Sequence, residues 1–181
     1  MRVCIYGSAR DTINEEYLKE GEELGELLAY AGYSLVFGAG KTGMMGAVNR
    51  GILKAGGRSI GVTPTFMKEF EPVGNCTEIV YTDTMHARKK TMESLGDAFI
   101  ITPGGIGTMD EFFSIITQKQ LKQNVKPIVI LNYDGCFDSL IDMLNDMVDE
   151  KFMTEETLQL YTVVESAKDA VDYLLSVETK R

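Results

Sequence analysis

Short β-branched runs alternate with stretches of helical periodicity along all 181 residues, and this predicts an α/β fold. The expected architecture is a Rossmann-like, doubly wound, mostly parallel sheet with helices on both faces. Two further observations agree with it. Glycine-rich turns follow several of the predicted strands directly, and a hydrophobic content of 44% in a chain of this length suffices for one sizeable core.

Residues 2–8, "RVCIYGS", read as the first strand. In the helix expected over 15–32, Leu18, Leu24, Leu27, Leu28 and Ala31 recur at helical spacing and Gly32 closes the helix at its C′ position. "YSLVFGAG" (33–40) is a second strand, 44–57 a helix with a Gly-Gly stop, and "RSIGVTP" (58–64) a third strand ended by Pro64. Further along, 77–82 predicts a strand, 85–96 a helix, 98–105 a strand and 109–121 a helix. "KPIVILN" (126–132) is a buried strand, 137–150 and 154–161 are helices, and 162–166 is a last short strand before a helix at 167–176. No linker, low-complexity tract or solenoid-length repeat interrupts the series, so residues 1–181 are expected to form one domain. The least regular stretch, 65–76, is the candidate for a mobile loop over a site.

A net charge of −9 argues against a face that grips nucleic acid, so any phosphate must be met by a local pocket. Cys4, Cys76 and Cys136 show no CxxC spacing, and their odd number fits buried small hydrophobes in a reducing compartment. The N-terminus runs straight into a strand without a secretory pattern, and no apolar run approaches the roughly 20 residues that span a bilayer. These features predict a cytoplasmic protein with no membrane segment. With His86 as the single histidine, a multi-histidine metal site is ruled out. The chemistry must therefore rest on carboxylates, arginine, lysine, hydroxyls and backbone amides.

Doubly wound sheets bind ligands beyond the carboxyl ends of their strands, near the switch point. Four such ends are chemically unusual here: Gly7-Ser8, the run "GAGKTG" at 38–43, Thr82-Asp83, and "PGGIGTMDE" at 103–111. "GAGKTG" is not a P-loop, because Leu35 stands where that pattern requires glycine. Nor does the first strand end in GxGxxG, which argues against a dinucleotide fold of the usual kind. The remaining readings of the loop are a ligand-facing backbone and a tight turn needed for packing alone.

In "DTMHARKKTM" (83–92), Met85, Arg88 and Met92 share one helical face, with His86 and Lys89 on adjoining stripes. Either this is an exposed basic helix, or Arg88 turns inward and requires a partner for its charge. Thr108-x-x-Glu111 has the form of a capping box, in which Thr108 starts the helix and the Glu111 carboxylate reaches back to the Thr108 amide. Gly104, Gly105 and Gly107 would instead bare the backbone for a phosphate at the helix N-terminus, with Glu111 about one turn away.

"PGGIGTMDE" (103–111), "MHARK" (85–89) and "GAGKTGMMGAV" (38–48) together resemble the PGGxGTxxE, MHxRK and GGGxxGLMGxxA elements of the Lonely Guy family of cytokinin-activating phosphoribohydrolases. The resemblance extends, in order and spacing, over nearly the whole chain. It implies hydrolysis of purine riboside 5′-monophosphates to free base and ribose 5-phosphate, by a homodimer with its site near the subunit interface and without metal or organic cofactor. It also implies Arg88 and Glu111 as the catalytic pair. Ser8, Gly43, Met85, Lys89, Gly104, Gly105, Ile106, Gly107, Thr108 and Asp110 are implied as substrate-binding positions. Ile106 and Asp110 depart from the family's common tyrosine and glutamate, and Ala39-Gly40-Lys41 alters the first glycine loop. An acid from the irregular connection, Glu69 or Glu71, is a further candidate contact.

Members of the family were long labelled lysine decarboxylases, but a pyridoxal-phosphate enzyme would require a Schiff-base lysine in a larger fold. Breaking a ribosyl bond builds an oxocarbenium-like cation on the sugar. Glu111 would stabilise it or activate water, with Asp83 and Asp110 as helpers, while Arg88 orients the substrate and stabilises developing charge. The 5′-phosphate is expected on the amides of Gly104, Gly105 and Gly107 and the Thr108 hydroxyl, assisted by Ser8 and Lys89. The alternative from another class is a carrier similar to the molybdenum-cofactor carrier proteins, which would have no use for Arg88 and Glu111 together.

Overall fold

The structure is a computed structural model that describes residues 1–70 and 73–179, of which 68 and 69 are described by their backbone alone. Seven strands form one sheet: β1 (Arg2–Tyr6), β2 (Ser34–Phe37), β3 (Ser59–Pro64), β4 (Glu78–Thr82), β5 (Ala98–Ile101), β6 (Ile128–Leu131) and β7 (Thr162–Val164). Their order is β4-β3-β2-β1-β5-β6-β7, and every paired neighbour runs parallel. The chain builds outward from β1 to β4, then returns to lay β5 against the free side of β1. That reversal is the switch point, and it lies between β1 and β5.

Alternation along the central strands decides which helices lie on which face. Val3 and Ile5 of β1, Leu35 and Phe37 of β2 and Val129 of β6 pack with α1 (Glu15–Tyr30), α2 (Gly43–Lys54) and α7 (Ala167–Glu178). Cys4 and Tyr6, Val36, Phe99 and Ile130 face the other way, against α3 (Met85–Leu95), α4 (Ile106–Gln120) and α5 (Asp138–Asp149). The central runs "AFII" and "IVIL" are buried throughout because both faces are covered, whereas edge strands β4 and β7 are partly exposed. The short helix α6 (Glu155–Leu158) precedes β7. On the first face, the Glu20 carboxylate accepts a hydrogen bond from the Ala167 amide, tying α1 to the positive end of α7.

Every predicted strand and helix is present, with strands trimmed at their ends and the helix expected over 154–161 reduced to Glu155–Leu158. Gly32 follows the α1 terminus with φ of +75°, as its C′ assignment requires. Three expectations are corrected. Cys136 is exposed, because it lies at the end of the turn after β6, while Cys4 is buried and Cys76 half-buried. Met85 is 43% exposed at the first turn of α3, so the inward stripe consists of Arg88 and Met92. Helix α4 begins at Ile106 with Gly105 as its N-cap, so Thr108 lies inside the helix and forms no capping box.

Helices α1 and α2 approach closely through two glycines. A Cβ on Gly25 would stand 2.1 Å from the Val48 carbonyl oxygen, and one on Gly51 would stand 2.0 Å from that of Glu22. Both obstacles are backbone, which cannot rotate aside. Gly25→Ala is expected to cost about 1–3 kcal/mol through overpacking, read as a lower urea midpoint with an unchanged slope. A midpoint equal to the wild type would contradict this close crossing.

Candidate active site

The loops after β1 and β5 flank the switch point and are bonded to one another. The Ser8 amide donates to the Pro103 carbonyl at 3.0 Å, and the Thr102 amide and hydroxyl both donate to the Tyr6 carbonyl, at 2.8 and 3.0 Å. Above them opens a cavity of about 540 Å³. Its lining comes from Gly7 to Arg10 after β1, Met45 of α2, Arg88 of α3, and Gly105 to Thr108 with Glu111 of α4.

Two charged side chains meet at the cavity on facing helices. Thr84 caps α3 by accepting from the Ala87 amide at 3.1 Å, which sets the first turn and carries Arg88 inward. The Arg88 Nε then donates to the Val62 carbonyl at 3.1 Å, and its Nη1 donates to Glu111 Oε1, also at 3.1 Å. Both residues are buried. The guanidinium fits because Gly38 has no side chain: a Cβ there would lie 1.9 Å from Arg88 Nη2.

Burial pushes the Glu111 carboxyl up to about 7, against the opposing pull of Arg88. Among the described residues no hydrogen bond reaches its Oε2, which leaves that oxygen for the cavity. A carboxyl group that changes protonation near neutrality can take or give a proton at physiological pH.

The start of α4 forms the opposite wall. With Gly105 as an N-cap that offers no side-chain bond, the amides of Ile106, Gly107 and Thr108 lack intrahelical acceptors. Thr108 is buried, and its hydroxyl packs where a Cβ on Gly104 would stand, 2.1 Å away. Ile106 is 90% exposed at the rim.

Of the residues expected at the site, Ser8, Arg88, Gly105, Ile106, Gly107, Thr108 and Glu111 line the cavity together. Gly43, Met85, Lys89, Gly104 and Asp110 do not. Gly104 and Gly43 act behind the surface. Gly43, with φ of +64°, comes so close to the first loop that a Cβ would stand 2.4 Å from the Ser8 carbonyl oxygen and 2.8 Å from the Arg10 nitrogen. Lys89 is turned away from the cavity and pairs with Asp110 at 2.9 and 3.0 Å. It borders a separate groove of about 680 Å³ between α3 and α4. Asp83 is not among the lining residues either, which leaves Glu111 as the cavity's one carboxylate among the described residues. Glu71 lies outside the described residues, as does the side chain of Glu69.

Arg10 and Met45 line the cavity without having been singled out from the sequence. For Arg10 the signal was present, in a cation three residues beyond the glycine that ends β1.

The family model described as "Possible lysine decarboxylase" matches residues 45–174. The cytokinin riboside 5′-monophosphate phosphoribohydrolase of Mycobacterium tuberculosis is 37% identical over 93% of this chain and 90% of its own length. The chain belongs to the Lonely Guy family. A further relative, the cytokinin riboside 5′-monophosphate phosphoribohydrolase LOG of Oryza sativa subsp. japonica, is 33% identical over 94% of this chain and 71% of its own. The solved Moco carrier protein of Chlamydomonas reinhardtii superposes with a TM-score of 0.75 at 21% identity, covering 99% of this chain and 98% of that one. Identity that low shows a shared fold. In this Lonely Guy member, Arg88 and Glu111 form a bonded pair.

The raised pKa of Glu111 makes stability depend on pH. Between its ordinary value of 4.5 and about 7, the folded protein holds a proton that the unfolded chain releases. That stabilising contribution is complete below the lower value and is lost as pH rises through the upper one. Urea denaturation near pH 5 and near pH 8 is expected to show the wild type losing more stability across the interval than Glu111→Gln, which cannot titrate. Equal losses would exclude a carboxyl group titrating near neutrality.

Proposed function

We propose that this chain hydrolyses the N-glycosidic bond of purine riboside 5′-monophosphates, of the cytokinin or adenosine type, releasing free base and ribose 5-phosphate. The observation that carries this reading is the buried Arg88–Glu111 pair, bonded at 3.1 Å, in a cavity walled by a helix N-terminus. Two relatives, more than 30% identical over most of this chain, bear the name of that activity.

In the reaction, water adds its hydroxyl to the sugar's anomeric carbon and its proton goes to the departing base. Positive charge builds on the ribose as the bond breaks. The Glu111 carboxylate stabilises that cation or removes the proton from the attacking water through Oε2. Arg88 keeps the carboxylate oriented and offsets negative charge as it develops elsewhere on the substrate. The phosphate is placed on the free amides of Ile106, Gly107 and Thr108, with the Ser8 loop opposite. Binding energy from this remote group is then used at the anomeric carbon.

The homodimer with its site near the interface, which the family resemblance implies, is supported by Ile106 standing 90% exposed at the cavity rim. Three free thiols suit a reducing cytoplasm, and no described helix is long and apolar enough to cross a membrane.

The test is release of free base from a panel of 5′-monophosphates and their dephosphorylated nucleosides. AMP is expected to exceed adenosine by at least about 100-fold in kcat/KM, the scale of a few kcal/mol from charge-assisted phosphate contacts. Glu111→Gln and Arg88→Ala are each expected to lower kcat by about 100-fold or more while the fold is retained. Equal use of AMP and adenosine would remove the phosphate assignment. Retention of a nucleotide without turnover would favour the carrier reading.

A further inference from the structure

An anionic substrate requires compensation for its charge, and the cavity's own cations are few. Among the described lining residues they are Arg10 and Arg88. Arg88 is already engaged by Glu111 and the Val62 carbonyl. Lys89, the lysine next to it, is held by both oxygens of Asp110 and borders the other groove. Arg10 differs from both, because its guanidinium has no hydrogen-bond or ion-pair partner among the described residues.

The backbone beneath Arg10 is held as firmly as the side chain is free. Its amide donates to the Ser8 hydroxyl at 3.1 Å, and the Ala9 carbonyl accepts from the Thr42 hydroxyl at 2.6 Å. The Met45 amide donates to the Ser8 carbonyl at 3.2 Å, the Ser8 amide is bound to Pro103, and Gly43 closes against the loop from behind. Five contacts thus fix an exposed arginine at the mouth of the cavity, across from the amide-bearing start of α4. A backbone fixed in this way leaves only the side chain's own rotamer entropy to be lost when it takes up a ligand.

We infer that Arg10 is the specificity-determining cation for the 5′-phosphate, closing on it from the side opposite the α4 amides. The inference rests on the hydrolase reading of the same cavity and assigns the charge recognition within it. A phosphomonoester carries close to two negative charges at neutral pH. Backbone amides offer hydrogen bonds and partial charge, whereas a guanidinium adds a full charge with paired donors matched to phosphate oxygens. The cavity therefore accepts a monophosphate well and a neutral nucleoside poorly.

The experiment is calorimetric titration of AMP and of adenosine into Glu111→Gln protein, where the ligand survives, with and without Arg10→Ala. AMP affinity is expected to fall about 10- to 100-fold on removal of Arg10, with adenosine affinity held and Arg10→Lys recovering part of the loss. Unchanged AMP affinity would overturn the inference. So would equal weakening of AMP and adenosine, which would mark Arg10 as a support of the loop. Arg10-dependent AMP binding by a wild-type chain that releases no adenine would sustain this inference while sinking the hydrolase reading.

Discussion

Burying an arginine and a glutamate side by side is costly unless both charges are satisfied where they lie. The architecture around the cavity meets that condition for Arg88, and for one oxygen of Glu111. The carbonyl of Val62, at the centre of β3, takes the Arg88 Nε. Gly38, at the end of β2, leaves the space that Nη2 fills. The Thr84 cap sets the rotation of α3, and the early start of α4 turns Glu111 to meet Nη1. Four elements distant in sequence converge on one 3.1 Å contact. The energetic result is a carboxyl group whose burial outweighs the pull of its ion pair, and this keeps it titratable near neutrality.

The two glycine loops divide their work differently from what their sequences suggest. "GAGKTG" looks like a ligand cradle, but Gly38 and Gly43 face inward, one toward the arginine head and the other toward the loop that bears Arg10. Between them, Ala39 is held at φ of +65°, a conformation that costs an L-residue roughly 1–2 kcal/mol and is kept only where surrounding structure imposes it. The isolated bridge between Gly40 and Val73 is part of that frame. "PGGIGT" presents the exposed backbone. Thus the loop after β2 positions side chains, while the loop after β5 offers amides.

The fold was legible because its determinants are periodic. Strand and helix alternation, Gly32 as a helix stop and the apolar centre of β6 are all local patterns that burial on both faces requires. The site was legible in part. The convergence of Arg88 and Glu111 depends on which strand lies beside β1, a long-range fact that no local window contains. Thr108 misled for an instructive reason. Its hydroxyl and spacing to Glu111 fit a capping box, but a capping residue must stand outside the helix in an extended conformation, and here its side chain fills the niche left by Gly104. Lys89 misled because a nearby carboxylate, Asp110, lay one helix away and satisfied it first. Arg10 was overlooked because a lone cation in a loop has no periodic signature.

Charge also constrains how such a site can operate. A chain of net charge −9 offers a nucleotide no long-range attraction, so recognition must come from contacts shorter than the roughly 8–10 Å over which salt screens charges. The cavity answers with opposite polarity at its two ends. Free amides and an arginine without a side-chain partner among the described residues gather at the rim, while a carboxylate lies deeper beside its own arginine. Reversing the two would leave the phosphate facing Glu111 and the developing sugar cation facing a helix N-terminus, both unfavourable. Under the proposed hydrolase reading, that polarity sets the direction of binding before any base contact is made.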